Sequence, residues 1–134
     1  MRLVNRIMLV DDSDAINELN RYYIEKLKLC EEILIHNNGL DAIKELKKSV
    51  EENKAFPNVI LLDIKMPIMD GFEFLDEFEK FPIAFKMNCN IIMLTTSLNS
   101  NDEIKALSYE PIKGYYRKPI SDVELQSILV ASVS

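Results

Sequence analysis

Apolar positions along this chain follow two rhythms that take turns. In the first they form short unbroken runs closed by polar or turn residues: "RIMLVDD" (strand Arg6 to Val10), "EILIHN", "NVILLD", "NIIMLTTS" and "GYYRKP". Runs of that length with such boundaries predict buried strands. In the second they recur every three or four positions. "SDAINELNRYYIEKL" places Ile16, Leu19, Tyr23 and Leu27 at helical spacing behind Ser13 as N-cap. After the "NNG" break, "LDAIKELKKSVEE" places Ala42, Ile43, Leu46 and Val50 on one helical face, and Phe74, Leu75 and Phe78 mark a third helix. "NDEIKALSY" predicts a short fourth helix that Pro111 interrupts, and "SDVELQSILVAS" a closing helix with Ser121 as N-cap and Val123, Ile128 and Leu129 apolar. Strand and helix alternate five times over residues 1–134 without a repeat or low-complexity linker. That pattern predicts a single α/β domain with a parallel sheet covered on both faces. The connections 53–57 and 80–88 receive no role.

In a parallel sheet the C-terminal ends of all strands share one rim, where α/β proteins bind ligands. Those ends carry Asp11 and Asp12 after the first strand, Asp63 after the third, Thr95 and Thr96 after the fourth, and Lys118 after the fifth. Three carboxylates brought close together repel unless a cation joins them. An oxygen-rich set suits a hard divalent ion such as Mg²⁺. Lys118 adds a positive charge and Thr95 a hydroxyl, the equipment for stabilising a phosphoryl group. A carboxylate can itself be the nucleophile, and Asp63, flanked by the others, is the candidate.

Charge and composition narrow the alternatives. The net charge of −6 and the lack of a basic stripe argue against a nucleic-acid surface. The N-terminal apolar run is too short for a signal peptide or a span, so a cytoplasmic protein with no membrane contact is expected. Cys30 and Cys89 lack metal-ligand spacing and read as buried or half-buried free thiols. The single histidine, His36, lies at the second strand and reads as structural or exposed. No glycine-rich phosphate loop is present among three glycines in all.

The blocks "LVDDS", "LLDIKMPIMDG", "IIMLTTS" and "YRKPI" resemble, in order and at compatible spacing over nearly the whole chain, the receiver domain of two-component response regulators. The resemblance implies a flavodoxin-like five-stranded parallel sheet in the order 2-1-3-4-5. It also implies a signalling phospho-acceptor rather than an enzyme with a separate substrate, with self-phosphorylation and self-dephosphorylation that depend on Mg²⁺. By that resemblance Asp63 takes the phosphoryl group from a sensor histidine kinase or histidine phosphotransfer protein. Asp12, Asp63 and the backbone carbonyl of Lys65 hold Mg²⁺, with Mn²⁺ as an alternative, and Asp11 acts mainly through water. Lys118 pairs with the phosphoryl oxygens, Pro119 follows a cis peptide, and Thr95 with Tyr115 forms the conformational switch read by a downstream protein target. Lys65, Thr96 and Ser97 fall at positions that tune the site. A lysine at 65 implies a longer-lived phosphate than an acid or amide would.

Each residue alone has a plainer meaning. An aspartate pair opens a helix, Asp70-Gly71 makes a turn and is read here as no more than that, a terminal threonine is ordinary strand chemistry, and Tyr115 and Tyr116 are packing aromatics. Their conjunction at four strand ends outweighs those meanings. A phosphatase of the haloacid dehalogenase type needs an aspartate two residues past the nucleophile, where this chain has Lys65. A flavodoxin would not place the acidic "DDSD" where a phosphate binds. The competing reading that survives is a receiver-shaped docking module that works without phosphorylation. "LSYEPIKGYY" departs from the small-residue turn usual before the fifth strand, which leaves open a homodimer through the face of helix four, strand five and helix five. With Met1 at the start and the chain closing a few residues past the last helix, a stand-alone receiver is expected over an excised one.

Overall fold

A computed structural model describes residues 4–132; residues 1–3 and 133–134 of the expected 1–134 domain lie outside them. The chain runs β1 (Val4–Val10), α1 (Asp14–Leu27), β2 (Cys30–His36), α2 (Gly39–Glu51), β3 (Val59–Asp63), α3 (Gly71–Phe78), α4 (Ile83–Lys86), β4 (Asn90–Thr95), α5 (Ser100–Leu107), β5 (Ile112–Arg117) and α6 (Asp122–Ala131). All strand pairs are parallel and the sheet order is β2-β1-β3-β4-β5, the flavodoxin-like order expected.

The alternation of strand side chains builds one apolar layer on each face of the sheet. Met8, Val10, Ile60, Leu62, Ile91 and Met93 meet Ala42, Ile43, Leu46, Phe74 and Phe78 on one side. Ile7, Leu9, Val59, Leu61, Ile92 and Leu94 meet Ile24, Leu125, Ile128 and Leu129 on the other. Central β3 is buried along its whole length, Asp63 included. An unbroken apolar run is what a strand covered on both faces requires.

Several expectations are corrected. The fully buried face of α1 is Asn17, Asn20 and Ile24 rather than Ile16, Leu19, Tyr23 and Leu27, which are only partly covered. The helix turns its polar residues toward the loop after β1, where Asn17 Nδ2 donates to the Asp11 carbonyl at 2.8 Å. Val123 is 72% exposed, and Leu125 takes its place in the core. The capping box between Ser121 and Glu124 sets the first turn of α6, and in that setting Val123 faces outward. Pro111 does not interrupt α5, which already ends at Leu107; its carbonyl instead accepts from Ile91 N at 3.0 Å. The connection 80–88 contains the one-turn α4. Phe81 and Phe85 stand 5.2 and 5.4 Å from the ring of Phe56, closing the end of the sheet away from the strand C-termini.

The two thiols are free, Cys89 buried and Cys30 partly so. Burial pushes the Cys89 thiol up to about 12, so it stays neutral packing material. His36 ends β2 with Nε2 2.5 Å from Glu45 Oε1 on α2, a tie between neighbouring elements. Among the described residues no helix is long and apolar enough to cross a membrane.

Candidate functional site

Four strand ends deliver the chemistry to one cleft of about 350 Å³, lined by Asp11, Asp12, Asp63, Lys65, Thr95, Thr96, Lys118 and Pro119 among others. Parallel register does this work. Asp63 lies beside Leu94 and Thr95 beside Arg117, so the loops carrying Lys65, Thr96 and Lys118 leave the sheet at the same level. Lys118 N donates to the Thr95 carbonyl at 3.0 Å, which extends the β4–β5 pairing by one residue and fixes the lysine's origin. The Lys118–Pro119 peptide is cis, as the resemblance implied.

Lys118 is the centre of the site. Its Nζ lies 2.6 Å from Asp11 Oδ2 and 3.0 Å from Asp63 Oδ1, and all three side chains are less than a tenth exposed. Burial alone would lower the Lys118 pKa, but the two carboxylates outweigh it and hold the ammonium above its ordinary value. Asp63 moves the other way from a usual ion-paired acid. Burial raises its carboxyl, the Lys118 hydrogen bond offsets part of that, and the nearby Asp11 charge adds to the rise.

Asp11 has both oxygens engaged, Oδ2 with Lys118 and Oδ1 with the Ser13 amide at 2.9 Å. Asp12 is exposed at the cleft edge. Asp11, Asp12 and Asp63 each offer a carboxylate oxygen within 4.8 Å of the others. A set of hard oxygens with net negative charge fits Mg²⁺ or Mn²⁺.

Not every expected residue lines the cleft. Ser97 lies beyond it, its amide donating to Thr95 Oγ1 at 2.9 Å. Tyr115 packs against the apolar layer of α2 and α3, and its hydroxyl is buried with no hydrogen-bond partner. Burial first, then the Asp102 and Glu103 charges, push that phenol up; Thr95 is near enough to offset part of the rise but not in bonding geometry.

Other contributors escaped the sequence reading. Asp70-Gly71 is not a bare turn. Asp70 caps α3 in a reciprocal box with Glu73, and Gly71 begins the helix. A Cβ on Gly71 would sit 2.4 Å from the Asp63 carbonyl oxygen, so only glycine lets α3 start against the end of β3. The Gly71 amide donates to the Ile64 carbonyl at 2.7 Å. Ile68, at φ 71, is strained in a tight turn closed by Met69 N to Pro67 O at 2.7 Å. A capping box can be found from Asp70 and Glu73 three residues apart; the contact behind Gly71 has no sequence signal.

The response regulator receiver domain profile matches residues 7–130. The chain belongs to the response regulator receiver family. Response regulator Rcp1 of Synechocystis is similar to this receiver, 37% identical over 105 residues that make up 78% of this chain and 69% of Rcp1. The crystal structure of a two-component response regulator from Cytophaga hutchinsonii superposes with a TM-score of 0.87 at 28% identity, covering 96% of both chains. The Mn²⁺-bound form of Rcp1 superposes with a TM-score of 0.75 at 30% identity, over 95% of this chain and 90% of that one. The sensor histidine kinase CheAY of Helicobacter pylori is 28% identical across 95% of this receiver, which spans 15% of that protein's length. The receiver is thus also similar to a module inside larger signalling proteins.

Proposed function

We propose that residues 1–134 form a single receiver that acts as phospho-acceptor in a two-component phosphorelay. In this reading a partner histidine kinase or histidine phosphotransfer protein donates the phosphoryl group to Asp63. The observation that carries the reading is the Lys118 side chain, 9% exposed, held between Asp11 and Asp63 at 2.6 and 3.0 Å. Removing charges from water costs several kcal/mol per ion, so a fold that needed only stability would fill this space with apolar side chains. Such a cluster in a cleft marks a working site.

In the reaction a carboxylate oxygen of Asp63 attacks the phosphorus. The phosphorus–nitrogen bond to the donor imidazole, protonated on its other ring nitrogen, breaks, and its electron pair stays on the nitrogen, so the group leaves as neutral imidazole. The product is an acyl phosphate on Asp63. Lys118 exchanges its carboxylate contact for the phosphoryl oxygens without leaving the cleft, and the Thr95 hydroxyl donates to another. Asp12, Asp63 and the Lys65 backbone carbonyl would hold Mg²⁺, or Mn²⁺, with Asp11 acting mainly through water; the engagement of both Asp11 oxygens and the exposure of Asp12 support that division. Bound there, the ion neutralises charge on the transferring group, and the Mn²⁺ form of the similar Rcp1 supports the assignment.

Only contacts made in one arrangement can shift a population toward it. Thr95 and Lys118 meet the phosphoryl group in the active arrangement, and Tyr115, packed beside Thr95, transmits the change to the surface of α5, β5 and α6. A downstream protein target or a second copy reads that face; neither nucleic acid nor membrane is addressed directly. Lys65 and Thr96 border the phosphoryl position, Ser97 acts from just beyond it, and the three set the lifetime. The test is intact-protein mass spectrometry after acetyl phosphate treatment. One phosphoryl adduct that requires Mg²⁺ and disappears in Asp63→Asn is expected. No adduct on folded wild-type protein would refute the reading and favour a docking module that works without phosphorylation.

A further inference from the structure

The loop after β4 is tied to α5 through one serine. Thr95 is 2% exposed, and its Oγ1 accepts from the Ser97 amide at 2.9 Å. Ser97 Oγ in turn donates to Asp102 Oδ2 at 2.7 Å and accepts from the Asn99 amide at 3.1 Å. Asn99 is the N-cap of α5, and the Asp102 amide donates to its carbonyl at 3.1 Å. The backbone at Ser97 is therefore anchored to the first turn of α5 by a charge-assisted bond. That kind of hydrogen bond is about twice as strong as a neutral one. Asp102 also borders a groove with Asp12 and Lys65, beside the phosphoryl cleft.

Resting on the receiver reading, a consequence follows for Thr95. If its hydroxyl turns toward a phosphoryl group on Asp63, the bond from the Ser97 amide breaks, and that amide needs another acceptor. The serine cannot follow, because its side chain is held by Asp102. We propose that Asp102 is a positioning residue of the switch: through Ser97 it holds the loop after β4 in the arrangement that engages Thr95, and so sets how readily Thr95 turns. The buried, unpartnered Tyr115 hydroxyl is an independent sign that this arrangement opposes another one. A buried hydroxyl without a partner disfavours the state that contains it, and movement of the loop that Asp102 restrains would change its surroundings.

The experiment measures binding of beryllofluoride, a phosphoryl mimic, to the full chain with saturating Mg²⁺ by calorimetry. Cutting one charge-assisted hydrogen bond that opposes the bound arrangement makes Asp102→Ala bind roughly tenfold tighter than wild type. Asp102→Asn, whose amide oxygen still accepts from Ser97 in a neutral bond, falls between wild type and Asp102→Ala, and this partial rescue separates positioning from a general loss of helix stability. Ser97→Ala cuts the same bond from the other end and is expected to match Asp102→Ala, with no further gain in the double variant. Should Asp102→Ala not fold, as judged by circular dichroism, Ser97→Ala decides alone. Unchanged or weaker binding in the folded variants overturns the role of Asp102 and leaves the receiver reading standing. Failure of folded wild type to bind the mimic overturns both.

Discussion

Replacing Asp63 with asparagine tests whether the carboxylate cluster is built for a bound cation or for stability. In wild type, Asp63 meets Asp11 and Asp12 with oxygens within 4.8 Å. Two unit charges at that distance repel by about 3.5 kcal/mol at an effective dielectric near 20, and by less where one is exposed, as Asp12 is. Against this, Lys118 at 3.0 Å attracts Asp63 by about 5.5 kcal/mol on the same scale. Two repulsions and one attraction nearly cancel. Burial then decides the sign, and it disfavours the charge, in line with the raised Asp63 pKa. Asp63→Asn is therefore expected to be more stable than wild type at pH 7 in EDTA, by about 1–2 kcal/mol, or roughly 4–8 °C in Tm at this chain length. The pH dependence follows from the direction of the shift. A folded pKa raised above the unfolded value of about 4 contributes stability that is complete below that value and lost as pH rises through the folded pKa. The difference between variant and wild type thus closes as pH falls from 7 toward 4. Mg²⁺ at about one hundred times its Kd stabilises wild type by about 2.7 kcal/mol, and the asparagine variant by less. Thermal melts by circular dichroism, with EDTA or Mg²⁺ at several pH values, make the measurement. An asparagine variant less stable than wild type in EDTA at pH 7 would refute the reasoning, because the lysine pair would then outweigh burial and repulsion.

Lys118→Met leaves Asp11 and Asp63 buried without their cation and is expected to lower stability by about 3–5 kcal/mol in EDTA, with partial recovery in Mg²⁺; urea unfolding with and without the ion reads this, and no recovery would count against a cation site. Lys65 is exposed beside the cleft, where its side chain can shield an acyl phosphate from water. Dephosphorylation followed by loss of the mass adduct is expected to be several-fold faster in Lys65→Asn, and equal rates would remove Lys65 from the tuning residues.

The distinction between what local pattern specifies and what packing specifies is visible residue by residue. The order of the five strands and the five longer helices, the parallel sheet and the meeting of Asp11, Asp12, Asp63, Thr95 and Lys118 were legible in the chain; the one-turn α4 was not. Strand periodicity and the geometry of a parallel sheet leave strand ends nowhere else to go. The capping boxes at Asp70 and Ser121 follow from residues three apart, so Asp70 and Glu73 carry a helix-start signal beyond the turn that Asp70-Gly71 makes. The rest depends on contacts between distant segments. Such contacts include the single lysine shared by two carboxylates, the bare Cα of Gly71 against the Asp63 carbonyl, and the tie from Thr95 through Ser97 to Asp102. The buried asparagines of α1 belong with them, since helical spacing alone favours the apolar residues beside them. One-dimensional patterns report which face of an element is covered on average; they carry no record of which polar atom a neighbouring loop will present to it.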